Sequence, residues 1–507
     1  MLYGYFSNLF ISTPFVLSLL SIFGCQIYVI HLMKNKYFFF TAISMFSLLS
    51  LGFNFKENPK SLPQKQSKNV IFYHTKPDKS VLFEKQENAV ISSTDKNLPT
   101  IEINAGKTFQ EMDGFGFTLT GGSAFHINNM SKKKRHALLT ELFAFDKENI
   151  GISYLRISLG ASDLDAGVFS YNDLPAGETD LKMEKFSLEP DKKFLIPVLQ
   201  EILAINPEIK ILASPWSPPT WMKTNNATKG GSLKPEFYDA YAKYFVKYVQ
   251  EMQKEGIRID AITVQNEPLH PGNNPSLLMP ATEQADFIKQ SLGPAFKQAG
   301  IKTKIIIYDH NADKPEYPIT VLNDAEAKKY IDGSAFHLYG GVIENVSKVH
   351  EAHPDKNLYF TEQWIGAPGD FGGDVQWHTK NLIIGASRNW CKTVLEWNLA
   401  ADPDQKPHTP GGCDRCLGAV TIDGDLVIRN PAYYIVAHAS KFVRPGSVRV
   451  DSNIPAGLPN VAFKTPEGKI AVIVLNESGS DQKFNIKIGN EVFSTLMAKG
   501  SVGTFIL

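Results

Sequence analysis

The sequence predicts an α/β protein, a (β/α)8 barrel of parallel strands with an additional discontinuous β-sandwich side domain. Two observations carry this. Through the middle of the chain, short apolar runs that turn abruptly polar alternate with amphipathic stretches. After about Ser440 the helical period disappears, and β-branched or alternating segments follow, separated by Gly, Pro, Asn and Asp. A chain of 507 residues has room for one large barrel and a satellite domain.

Taken in order, residues 1–53 read as a hydrophobic leader. Residues 6–32 are largely apolar, then Met33-Lys34-Asn35-Lys36 precede a second apolar run at 37–53. Basic residues before a short apolar core are the pattern of a secretory signal peptide, here starting at Met33. The competing reading is a membrane anchor, because the run at 6–32 is long enough to span a bilayer. Either way the rest of the chain is expected to be exported: secreted, periplasmic or at the cell surface. Membrane contact is expected only through the leader, if it stays uncleaved.

Residues 54–79 are rich in Lys, Asn, Pro and Gln with little periodicity, as in a linker. Residues 80–112 hold short strand-like segments at 81–83 and 100–103. The barrel is expected over 113–439, with strands at 114–118, 154–159, 210–214, 261–264, 304–308, 334–338, 357–360 and 392–397. Amphipathic helices fall between them, for example at 132–145, 194–205, 238–255 and 282–299. A doubly wound sheet is the alternative, but no Gly-x-Gly-x-x-Gly follows the first strand, and Gly114, Gly116, Gly121 and Gly122 are too spread for a phosphate loop. Residues 440–507 supply strands at 447–450, 460–464, 469–475, 483–488 and 502–507. Five strands make a thin sandwich, so the segments before Gly114 should complete it and the β domain should clasp the barrel from both sides in sequence.

Lysine plus arginine and aspartate plus glutamate both number 52, so the formal charge is zero. A phosphate-binding surface would need a basic patch, so nucleic acid is not an expected partner; a neutral polymer or glycolipid headgroup suits the balance. The Cys413-Asp414-Arg415-Cys416 pair could be a small disulfide, a redox pair or half a zinc site. Zinc would need a second ligand pair at similar spacing, and a redox pair would sit near a βαβ start rather than in this Gly-Gly loop. A local disulfide is the favoured reading in an exported protein, with Cys391 a buried free thiol.

The chemistry is written at the strand ends. Glu267 closes the run Ala261-Ile262-Thr263-Val264-Gln265-Asn266-Glu267, and Glu362 closes Asn357-Leu358-Tyr359-Phe360-Thr361-Glu362. The C-terminal strand ends of a parallel barrel form its active face. Two carboxylates facing each other there are what retaining glycoside hydrolysis requires, one as acid/base and one as nucleophile. Trp216, Asn266, His310, His337, Tyr339, Trp364, Trp397 and Asn398 also sit at strand ends. Aromatic rings stack on the CH faces of a sugar while amides and carboxylates take its hydroxyls, so these parts suit carbohydrate. For any single tryptophan, burial in the core is an equally good explanation.

The segment Ala213-Ser214-Pro215-Trp216-Ser217-Pro218-Pro219-Thr220-Trp221-Met222-Lys223-Thr224-Asn225, followed by Gly231-Ser232-Leu233-Lys234, resembles glycoside hydrolase family 30, the family of acid β-glucosylceramidase. Gln265-Asn266-Glu267-Pro268, His337-Leu338-Tyr339, Glu396-Trp397-Asn398-Leu399-Ala400 and Ser440-Lys441-Phe442-Val443-Arg444-Pro445-Gly446-Ser447 continue the likeness over roughly residues 100–507. The resemblance implies a barrel with a side sandwich and retaining chemistry, Glu267 as acid/base and Glu362 as nucleophile. It implies Asn266 on the sugar 2-hydroxyl and Trp216, His337, Tyr339, Trp397 and Asn398 around the substrate. Arg156 would keep the nucleophile ionised. No metal or organic cofactor is expected, because the carboxyl groups carry the chemistry. The expected substrate is a β-linked glucoside, either a glucosylceramide-like lipid or a β-1,6-linked glucan. A non-catalytic carbohydrate-binding barrel is the competing class, disfavoured by the presence of both glutamates.

One departure stands out. Glucosylceramidase-like members follow Gly-Phe-Gly with a Thr-Asp whose carboxylate grips glucose hydroxyls, whereas this chain has Thr120-Gly121-Gly122. Asp163 and Asp165, after the second strand, are candidates to replace it. The expectation is a weaker hold on a terminal glucose and room for an extended substrate.

Overall fold

The computed structural model describes residues 70–507 apart from 88 and 94. The leader, its start at Met33 and the linker up to residue 69 lie outside the described residues. Among the described residues no helix is long and apolar enough to cross a membrane.

Eight parallel strands close into a barrel in chain order: Gly114–Leu119, Tyr154–Ser158, Lys210–Ser214, Ala261–Thr263, Lys304–Asn311, Ile331–His337, Asn357–Glu362 and Cys391–Asn398, the last pairing with the first. Each strand is apolar because both of its faces are covered, one by helices and one by the lumen. The lower lumen is an oily plug. Tyr154, Leu212, Ala261, Ile306, Ala335, Tyr359 and Leu395 form one buried cluster there.

Two residues further along each strand the inward side chains change character, because strand side chains repeat with period two. The set becomes Arg156, Ser214, Thr263, His337, Thr361 and Trp397. In the fifth strand, pairing slips between Tyr308 and His310: Ala335 faces Tyr308 and Phe336 faces His310. Asp309 is the extra residue of that bulge. Tyr308 (φ 72°) and Asp309 (φ 64°) both adopt left-handed backbone, which turns Asp309 into the polar ring where simple alternation from Ile306 would put Tyr308.

The side domain is a ten-stranded sheet, and it recruits residues from both flanks of the barrel. Ile71–Thr75 pairs antiparallel with Val502–Ile506, and the twelve-residue strand Thr100–Glu111 links Val448–Ser452 to Gln482–Ile488. Val502–Ile506 and Gln482–Ile488 are five steps apart in hydrogen-bond order, which in a flat sheet is about 24 Å. Yet the rings of Phe484 and Phe505 lie 6.2 Å apart edge to face. The sheet therefore doubles over on itself into a sandwich, around Phe72, Ile101, Val450, Val472, Phe484 and Phe505.

Three expectations need correction. The linker reading of 54–79 fails from residue 71, because Ile71–Thr75 is a sandwich strand. Glu491–Met497 is a further strand, paired with Gln482–Ile488. The helix expected over 282–299 is interrupted by a wide π turn at Ile288–Leu292. The seam between the two domains is built on the helix Pro431–Ser440, all of whose residues are buried. At that seam His438 sits between the hydroxyls of Thr75 (2.8 Å) and Thr504 (2.9 Å), one from each strand of the outer sandwich pair.

Candidate active site

At the C-terminal strand ends the barrel opens into a cavity of about 390 Å³. Glu267 and Glu362 line it, with Trp216, Trp397 and Trp364 as aromatic walls, and Tyr339, Asp163, His270, Asn273, His310 and Asn311 around them. The fourth and seventh strands deliver the two glutamates from opposite sides. Glu267 itself takes a left-handed backbone (φ 44°), which bends the chain as the fourth strand ends. One carboxylate oxygen of each glutamate and a ring nitrogen of His337 lie within 4.8 Å of one another.

Arg156 sits at the centre of the polar ring, fully buried. Its guanidinium donates to Glu362 (2.5 Å), Asn266 Oδ1 (2.7 Å), Asp309 (2.8 Å) and Ser214 Oγ (3.1 Å). Its face lies 4.8 Å from the ring of Trp216. The fork therefore ties the nucleophile candidate, Trp216 and, at 5.6 Å, Trp397 to one rigid cation. Tyr339 O–H donates to Glu362 at 3.0 Å.

Asp309 is the residue the sequence reading missed. Its carboxylate is completely buried and accepts from Arg156, Ser214, Thr263, Thr361 and His337 at 2.6 to 3.1 Å. Burial opposes its charge, but Arg156 and then His337 overcome this and hold the carboxyl far below its ordinary range. His337 is the mirror case. Burial would lower it, yet Glu362, Asp309 and Glu267 together push it up to about 9. At neutral pH it is an imidazolium with Nδ1 on Glu267 (3.1 Å) and Nε2 on Asp309 (3.1 Å).

The two glutamates titrate as a pair. Burial raises both; His337 then brings Glu267 below its ordinary value, while His337 and Arg156 offset only part of the rise at Glu362. Two cations face Asp309, so the cluster is neutral when one glutamate carries a proton and the other a charge. Glu267, His337 and Glu362 are also the one group of described residues with metal-ligand spacing. In this arrangement both ring nitrogens of His337 are engaged, one with Glu267 and one with Asp309.

Trp216, Trp397 and Tyr339 line the cavity as the sequence suggested. Asn266 spends its Oδ1 on Arg156, and no described residue accepts from its Nδ2. Two expected contacts move elsewhere. His337 is buried beneath the glutamates rather than in the wall. Asn398 accepts from Ser123 Oγ (2.9 Å) and donates to the Cys416 carbonyl (3.1 Å), so its polar atoms hold the loop after the eighth strand. Cys413 and Cys416 form a disulfide, and both sulfurs' residues pack with Trp216, Trp364 and Trp397 at the cavity wall. Cys391 is the buried free cysteine. Lys223, in the most distinctive part of the sequence, is also structural. Its ammonium donates to Ser217 Oγ and the carbonyls of Thr228 and Ser276, stapling the loops after the third and fourth strands.

A parallel barrel whose mouth sets two buried carboxyls against each other between tryptophans defines a class, the barrel glycoside hydrolases. The sequence models for the glycosyl hydrolase family 30 TIM-barrel domain and beta sandwich domain match residues 112–443 and 446–505. An endo-1,6-beta-D-glucanase of Neurospora crassa is 34% identical over 430 residues, covering 80% of this chain and 88% of that protein. The lysosomal acid glucosylceramidase of Mus musculus is 31% identical over 438 residues, with coverage of 80% and 83%. A solved endo-beta1,6-glucanase structure superposes with a TM-score of 0.81 at 38% identity, over 87% of this chain and 99% of that one. This chain belongs to glycosyl hydrolase family 30 and is a glycoside hydrolase.

Proposed function

We propose that the protein hydrolyses β-1,6-linked glucan with retention of configuration, in a double displacement with Glu362 as nucleophile and Glu267 as acid/base. The observation that carries the mechanism is the spacing. One oxygen of each carboxyl lies within 4.8 Å of the other, which fits the about 5–5.5 Å between carboxyls in a retaining enzyme better than the about 6.5–9.5 Å that an inverting enzyme needs for its water. A glycosidic oxygen seated against Glu267 removes that carboxyl further from water and favours its protonated form. Arg156 and Tyr339 reward the anionic form of Glu362, so substrate moves the shared proton to the side where the leaving group needs it. Glu362 attacks the anomeric carbon as Glu267 gives its proton to the leaving oxygen. Glu267, now a base, then draws a proton from the water that releases the sugar. Asn266, oriented by Arg156, has its amide N–H2 free for the sugar 2-hydroxyl.

Glucan is favoured over glycolipid by the relatives reported above: the Neurospora crassa glucanase at 34% identity and the solved glucanase at 38% share more with this chain than the mouse glucosylceramidase at 31%. Export through the leader would bring the enzyme to such a polymer, and N-terminal sequencing of the secreted protein reports on that part. The direct test compares β-1,6-linked gluco-oligosaccharide, glucosylceramide, aryl β-glucoside and aryl β-xyloside, with the anomer of the first product followed by NMR. The β-1,6-linked substrate should have the highest kcat/KM and release the β-anomer first. Initial release of the α-anomer, or preference for glucosylceramide, would overturn the reading.

A further inference from the structure

Asp165, one of the two aspartates after the second barrel strand, does not line the catalytic cavity. It opens onto a separate outer cleft of about 350 Å³, within the size range of small-molecule sites. Phe125, Phe169, Phe194 and Pro407 wall this cleft, and the charged side chains that line it are Asp165 and Asp191. Gly121 makes room for the first of them, since a Cβ there would stand 1.7 Å from Asp165 Oδ1.

Asp165 is 7% exposed and Asp191 6%. Asp165 Oδ2 accepts from the Ser162 N–H (2.7 Å) and Oγ (2.9 Å), and Asp191 Oδ2 from the Tyr171 hydroxyl (2.5 Å). Among the described residues nothing donates to Oδ1 of either. Asp309 and Asp113, at least as deeply buried, each have a cation: Arg156 at 2.8 Å and Lys210 at 2.8 Å. At the outer cleft no described lysine, arginine or histidine acts on either carboxyl. Burial raises Asp165 to about 6; burial, and then the charge of Asp165, raise Asp191 to about 7. Two like charges in an apolar wall are costly unless a cation meets them, and the open side is the cleft. The aromatic walls suit the same visitor, because ring faces attract cations. Phe125 and Phe194 meet edge to face, centroids 5.1 Å apart, and the Phe194 ring already takes the Lys193 ammonium at 4.9 Å. A sugar fits less well, because the lining holds no amide, hydroxyl or indole side chain for its hydroxyls.

We propose that the outer cleft binds a small organic ammonium compound, its apolar body against the three phenylalanines and its cationic nitrogen facing Asp165 and Asp191. Such a site is independent of the glycosidase chemistry and of the choice of glucan. The probe is benzylamine, titrated by calorimetry at pH 8, where both carboxyls are charged, beside benzyl alcohol as the neutral isostere. Benzylamine should saturate one site and bind at least about 10-fold tighter than the alcohol. Asp165→Asn and Asp191→Asn should each weaken it about 10-fold or more, with thermal unfolding checking that both variants are folded. Phe125→Ala, at a surface position, should weaken it a few-fold, and Glu362→Gln should leave it unchanged. Absence of saturable binding at about 10 mM benzylamine would overturn the site. So would equal affinity for benzyl alcohol. Binding lost in Glu362→Gln but kept in Asp165→Asn would place the amine in the catalytic cavity and sink the proposal too. Displacement of benzylamine by methyl β-glucoside, or by calcium, would make this a sugar or metal site and equally refute it.

Discussion

His337 at the barrel mouth and His438 at the domain seam are both fully buried, and they rest in opposite charge states. His337 lies among three carboxylates and is raised to about 9. His438 lies between two threonine hydroxyls, and burial, helped by His74, lowers it to about 3. Burial penalises the imidazolium in both places. What differs is the partners: carboxylates can repay a charge, and hydroxyls cannot. The mouth is thus a charged machine set on an apolar plug, and the seam is a neutral polar joint.

The sharpest way to separate the two regions is to remove a charge at the mouth. Glu362→Gln should lower turnover by about 10⁴-fold or more on every substrate, with thermal unfolding checking that the variant is folded. Glu267→Gln should spare the first step on aryl glucosides with good leaving groups, which need no protonation, and stopped-flow burst kinetics would show it. Near-native turnover by Glu362→Gln would refute the assignment of the pair.

Asp309→Asn should rank next. It leaves Arg156 and His337 without their shared anion, and breaking a buried ion pair costs about 3–5 kcal/mol. Denaturant unfolding should report that loss, with kcat/KM on aryl β-glucoside falling about 100-fold as Arg156 and His337 shift. A variant with native stability and activity would show that the bulged fifth strand is not what orders the site.

The two histidines predict pH effects of opposite sign. His337 is raised above its ordinary 6.5, so its contribution is fully present below pH 6.5 and lost as pH climbs through about 9. His438 is lowered, so its neutral pairing is fully effective above pH 6.5, and stability falls as acid protonates the unfolded chain but not the native ring until about pH 3. At about 1.4 kcal/mol per pH unit, the shift corresponds to about 3 kcal/mol at His337 and about 5 kcal/mol at His438. Unfolding of His438→Gln between pH 4 and 7 should show a flatter acid limb than wild type, and unchanged slopes would break the comparison.

The smallest effect is expected at the cavity wall. Replacing both Cys413 and Cys416 by Ser opens a loop closed over a sequence separation of 3, which constrains the unfolded chain very little. Unfolding should shift by about 1 kcal/mol or less, and KM should rise a few-fold as the wall of Trp216, Trp364 and Trp397 loses the disulfide packed against it.

The barrel was legible in the sequence because a strand buried on both faces announces itself as an apolar run, and all eight runs became strands. The glutamates were legible because polarity at the end of such a run needs a reason. Asp309 was not, since a bulge breaks the period-two rule and alternation from Ile306 points to Tyr308 instead. The strand Ile71–Thr75 was hidden for another reason. Its partner lies more than four hundred residues away, at Val502–Ile506, and a lysine-rich approach resembles a tether when read locally. Asn398 and His337 were placed on the right elements, but whether a strand-end side chain meets substrate or its own scaffold depends on loops the pattern does not show.

That same long-range pairing has a consequence in time. As the chain leaves the ribosome, the residues of all eight barrel strands are made before the last sandwich strand exists. Until Val502–Ile506 arrives, the wholly buried strand Ile470–Leu475 has one open edge, and Ile71–Thr75 has only its neighbour Leu82–Lys85 to pair with. An apolar strand with an unpaired edge is a template for other chains. Messages that end a few codons early should therefore yield aggregated protein, even though every catalytic residue has already been made.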